Sequence, residues 1–100
     1  YGGGGFSTED KGFEKVSKQF ETKIKPYKKR VLITHAPPYN TRLDKIMEKH
    51  CGSKPIRKFI DKNKITLNVC GHLHENAEKE DKIKDTRVIN PGPLGKMITI

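Results

Sequence analysis

A chain of 100 residues has room for one small domain, and with 32% hydrophobic residues and no tryptophan its core is thin. Its 21 basic and 12 acidic residues give a formal charge of +9, which favours anionic partners such as nucleic acid or phosphorylated substrates. No stretch is long and apolar enough to span a membrane and no signal-peptide pattern opens the chain, so a cytoplasmic location is expected.

In chain order, Tyr1–Ser7 carries four consecutive glycines, which suits a loop or a close approach of backbone to a neighbour. A phosphate-binding loop is not indicated, because no Gly-Lys-Ser/Thr follows. Thr8-Glu9-Asp10 reads as a helix start, and Phe13, Val16 and Phe20 give an apolar stripe for a helix over about residues 9–24, ended by Pro26. Residues 1–30 therefore form a Gly-rich loop plus an amphipathic helix, ahead of a segment covering residues 31–100.

Val31-Leu32-Ile33-Thr34 is the first strand, leading straight into His35. Ala36-Pro37-Pro38 breaks it and stiffens the loop that follows. Leu43, Ile46 and Met47 share one face of a short helix expected near residues 43–49. Ser53 is a good N-cap for the next helix, with Pro55 in its first turn and Ile56, Phe59 and Ile60 as its buried stripe. Residues 65–70 form a second apolar strand, so the order strand–helix–strand predicts a right-handed parallel crossover and an α/β fold. Residues 75–84 are polar and read as a surface loop. Residues 87–90 and 96–100 read as a C-terminal hairpin around Pro91-Gly92-Pro93-Leu94-Gly95.

Both apolar strands run into histidine: His35 after the first, His72 and His74 after the second. A parallel crossover puts both ends on one edge of the sheet, where ligands of open α/β sheets gather. Residues two apart on extended chain point the same way, so His72 and His74 are expected to face one pocket, with Gly71 allowing a sharp turn before them. Three neutral imidazoles suit zinc, iron, manganese or nickel. A single histidine near a strand end is more often a hydrogen-bonded or surface residue than a ligand, and His50 reads as such a surface residue. Cys51 and Cys70 form no CxxC pair, and Cys70 reads as a small core residue.

Thr34-His35-Ala36-Pro37-Pro38-Tyr39 followed by Gly71-His72-Leu73-His74 resembles the last two metal motifs of the calcineurin-like metallophosphoesterases. The spacing between them, the intervening Gly52-Ser53-Lys54-Pro55 helix start and the later Asn90-Pro91-Gly92 also match. The resemblance covers roughly residues 31–100. It implies half of a four-layer α/β/β/α sandwich, with one apolar sheet face left for a partner half or a second copy to cover. It implies a site of two divalent metals (Mn, Fe, Zn or Ni) that hydrolyses a phosphate mono- or diester, with His35 and His72 on the second metal and His74 on the first. Tyr39 and Asn40 would contact substrate, and Glu75 would orient a ligand imidazole. The family's Asp-x-His, Gly-Asp-x-x-Asp and Gly-Asn-His motifs do not occur in this chain, so it would lack the bridging aspartate, the asparagine ligand and the acid histidine.

Two other classes stay open beside a metal-dependent phosphatase: a non-catalytic interaction module on the same fold, and a basic nucleic-acid-binding domain. Acidic residues are interleaved among the lysines in every basic stretch, a pattern more typical of solvated faces than of a dedicated nucleic-acid patch.

Overall fold

The computed structural model describes all residues from Tyr1 to Ile100 as two helices packed on a mixed sheet. Helix α1 spans Lys11–Ile24 and starts at Asp10, whose carboxylate accepts the Phe13 N–H at 2.9 Å and so satisfies one of the orphan donors of the first turn. Strand β1 is Val31–Ile33, and a small antiparallel pair follows, β2 (Lys45–Ile46) with β3 (Lys49–His50). Helix α2 spans Lys54–Lys62; Ser53 caps it by accepting from the Ile56 N–H, and Pro55 sits where its missing N–H costs nothing. Strands β4 (Leu67–Val69), β5 (Glu80–Ile83) and β6 (Thr86–Ile89) complete the chain's regular elements, with a single 3₁₀ turn at His74–Asn76.

The main sheet has the order β1-β4-β6-β5. β1, β4 and β6 run parallel in register Val31–Leu67–Arg87 to Ile33–Val69–Ile89, and β5 closes the far edge antiparallel to β6. Alternation along the strands sends Leu32, Asn68 and Val88 to one face, where they meet the helices. The core there holds Phe13, Ile56, Phe59 and Ile60. Edge-to-face rings tie the two helices together, Phe13 to Phe59 at 5.6 Å and Phe20 to Phe59 at 6.3 Å between centroids. Tyr1 joins the same cluster 5.3 Å from Phe13, so residues 1–30 share one core with the rest.

The opposite face is unevenly covered: Leu67 and Ile89 are buried, while Val31 and Ile33 at its β1 edge are 46% and 64% exposed. On the β5 side, Glu80 accepts from Lys96 and Arg87, which draws the C-terminal segment towards that edge.

Three expectations need correction. The stretch around residues 43–49 is a hairpin, not a helix: Met47 (φ 50°) and Glu48 (φ 73°) are both left-handed, the conformation of a tight two-residue turn and incompatible with a helix. The polar stretch 75–84 is not all loop, because β5 forms there as a charged edge strand. The partner of β6 is therefore β5, which precedes it, and residues 96–100 form no strand. The turn expected at Pro91–Gly95 is present, with Gly92 and Gly95 at positive φ and the Gly95 N–H donated to the Gly92 carbonyl.

Candidate functional site

The parallel pairing of β1 with β4 continues past both strands: Thr34 N–H donates to Val69 O at 2.9 Å, and Gly71 N–H to His35 O at 3.0 Å. These bonds hold the two histidine-bearing ends side by side. His72 Nδ1 lies 3.0 Å from His35 Nε2, with ring centroids 4.8 Å apart, so one nitrogen donates and the other accepts. His72 takes this position with φ 67°, a left-handed conformation that typically costs a non-glycine residue about 1 kcal/mol or more. Strain of that kind persists only where the surroundings enforce it.

The surroundings are the Gly-rich segment and the Asn-Pro-Gly turn. A side chain at Gly5 (φ 103°) would have its Cβ 3.0–3.1 Å from three atoms of the His72 ring, so the backbone there passes too close to the imidazole for any residue but glycine to fit without a shift. Phe6, almost wholly exposed, stands edge-on to the same ring at 6.2 Å. On the other flank, Asn90 Nδ2 donates to Leu73 O and its Oδ1 accepts the Gly92 N–H. Gly5 and Asn90 thus both shape the neighbourhood of His72.

His74 does not join the pair. Leu73 N–H bonds back to Gly71 O and the chain then enters the 3₁₀ turn, so the extended spacing expected to align His72 with His74 is lost. His74 and Glu75 are exposed in that turn, and no group of three or more metal-ligating side chains converges anywhere in the chain. Asn76, fully buried at the end of the turn, donates to the carbonyls of Leu43 and Lys45 and locks it to the β2 region.

The loop leaving His35 is built around a carboxylate. Asp44 is fully buried and accepts from the N–H groups of Asn40, Thr41 and Gly52 at 2.8–3.0 Å, and from His50 Nδ1 at 2.5 Å. Arg57 donates to the carbonyls of Tyr39 and Asn40 and fixes the same loop to α2. The Tyr39 ring packs 5.8 Å from His50, with Lys54 Nζ 5.1 Å from its centroid, and Asn40 is exposed at φ 62°. The structure therefore places both residues expected to touch substrate beside His50. Neither Asp44 nor the role of His50 was read from the sequence; an aspartate six residues before a histidine carries no signal until the β2–β3 turn folds one onto the other.

Cys70 is buried, and desolvation, with the Asp44 charge adding to it, pushes its thiol up to about 12, so it stays protonated and inert.

A tetrahedral ion bound at roughly 2.1 Å would hold two imidazole nitrogens roughly 3.4 Å apart, so the His35–His72 pair, hydrogen-bonded at 3.0 Å, would open by a few tenths of an ångström to share one. The chain supplies this pair and no third ligand beside it, so any metal held here takes its remaining donors from elsewhere.

The chain is similar to an uncharacterized protein of Methanocaldococcus jannaschii, 41% identical over 85 residues, or 80% of this chain. It spans only 38% of that relative's length. No protein-family model and no solved structure matches the chain.

Proposed function

We propose that this chain carries the histidine half of a two-metal phosphoesterase centre, the C-terminal part of a calcineurin-like metallophosphoesterase. The observation that carries the reading is the pair His35 Nε2 and His72 Nδ1, 3.0 Å apart at the carboxyl ends of adjacent parallel strands. Its supports are the motif order in the sequence and the left-handed backbone held at His72. His35 and His72 would hold one divalent metal, and His74 would serve a second once further ligands stand opposite it. Bound metals would polarise the phosphate and generate a hydroxide nucleophile near neutral pH. The remaining donors would come from a further segment, as the greater length of the relative allows, or from another chain.

Within this chain, His35 and His72 bind, the Gly5 backbone fixes the His72 ring, and Asn90 steadies the Leu73 carbonyl beside it. Tyr39 and Asn40 would meet the alcohol side of a phosphate ester. The test is manganese-dependent hydrolysis of a chromogenic phosphodiester by this chain, with His72→Ala as control. The incomplete ligand set predicts no turnover from either protein alone. Adding a separately expressed segment that carries the missing carboxylate ligands should restore turnover to the unsubstituted chain only. Equal turnover with and without His72 would overturn the reading.

A further inference from the structure

The cleft beside the β2–β3 hairpin lies outside the His35–His72 pair and has its own chemistry. It is an open depression of about 430 Å³ with no hydrophobic residue in its wall, lined by Arg42, Lys45, His50 and Lys79, with Asn40 and Asp81 among the other groups. None of the three cationic side chains has an ion-pair partner; Lys79 Nζ donates to Asn76 Oδ1, and Arg42 and Lys45 are exposed. The one carboxylate in the wall, Asp81, is engaged by the N–H groups of Arg42 and Lys82.

His50 is held differently from a surface histidine. Its Nδ1 is bonded to Asp44, a carboxylate with no solvent exposure that three backbone N–H groups fix in place. That bond sets the ring plane and leaves Nε2 as the polar atom free for a ligand in the cleft.

We propose that this cleft is a binding site for a phosphate-bearing anion, held by the charges of Arg42, Lys45 and Lys79 and by His50 as the imidazolium, its Nδ1–H on Asp44 and its Nε2–H donated to the anion. Three unpaired cations around one polar concavity concentrate anions there, and a phosphate group has enough acceptor oxygens to take all four donors. The site needs no metal and stands whether or not His35 and His72 bind one.

The test is a titration of the chain with inorganic pyrophosphate in excess EDTA at low salt, followed through the ring-proton NMR signals of the four histidines and by calorimetry. The expected result is saturable 1:1 binding that shifts the His50 ring signals and leaves those of His35 and His72 in place. Lys45→Ala/Lys79→Ala should weaken binding by about tenfold, since two attractive charges leave the site. Lys11→Ala/Lys15→Ala, the same charge change on exposed positions of α1, should alter it by less than about twofold. His50→Gln should weaken binding by about threefold or more while the fold is kept, because Asp44 retains its backbone donors. Absence of saturable binding, an unmoved His50 ring, or equal loss in the two lysine double variants would overturn the site.

Discussion

Gly52 sits where no side chain fits. A Cβ there would lie 2.7 Å from the Pro37 and Pro38 carbonyl oxygens and from the Asp44 side chain. Two of those three atoms are backbone, so the loop itself must shift. Gly52→Ala should therefore destabilise the protein by about 1–3 kcal/mol, measured by urea unfolding. Asp44→Ala removes the acceptor of three N–H groups and of His50 at once, and should cost about 3 kcal/mol or more. An unfolding midpoint unchanged in either variant would contradict the loop's description as a shell built on Asp44. At this scale, much of the candidate site was legible. His35 and His72 stand out because apolar runs lead into them, and a strand end is a local pattern. The closeness of Gly5 to His72 was not legible, since that contact joins residues 67 positions apart and leaves no trace in either neighbourhood.

Among elements, the two helices were readable because their signals are local: Thr8-Glu9-Asp10 as a helix start, which the structure places two residues later with Asp10 as the cap, Ser53 as a cap, and stripes ending in Phe20 and Ile60. The β2–β3 hairpin was not, because its turn uses Met47 and Glu48 where glycine or asparagine would announce a left-handed pair. β5 was hidden for the opposite reason: an edge strand needs few apolar residues, and Glu-Asp-Lys-Ile looks like loop until β6 supplies its partner. Phe13 joins the elements most directly, being fully buried against Tyr1, Phe20 and Phe59. Phe13→Ala should cost about 3–5 kcal/mol and release α1 first, seen as loss of amide protection over residues 11–24 before the sheet opens. Simultaneous loss of protection in α1 and β4 would show instead that the helix and sheet unfold as one unit.

For the molecule as a whole, the exposed Val31 and Ile33 mark the sheet face that the helices leave uncovered. Leu67 and Ile89 on the same face are buried, so the exposed apolar surface is confined to the β1 edge, and no helix of the chain is long and apolar enough to cross a membrane. The C-terminal segment is tied to this molecule by charge. The hydrogen bond from Lys96, and then that from Arg87, hold the Glu80 carboxyl below its ordinary range. Such a group stabilises the fold above its unfolded pKa, and the contribution disappears as pH falls through the folded value. Thermal unfolding of Lys96→Ala should accordingly depend less on pH between about pH 6 and pH 3 than that of the unsubstituted chain; identical pH profiles would dismiss the link. Cys70, protonated and buried, should react with a thiol reagent at mildly alkaline pH only as fast as the molecule opens.

The most direct measurement is a manganese titration of the chain, reading paramagnetic broadening of each histidine ring signal. A metal centre seeded by this chain predicts that His35 and His72 broaden together and first, and that either His35→Ala or His72→Ala abolishes the effect at the other ring. Broadening that begins at the exposed His74 or at His50, or that survives removal of His72, would mean that the paired imidazoles hold only each other.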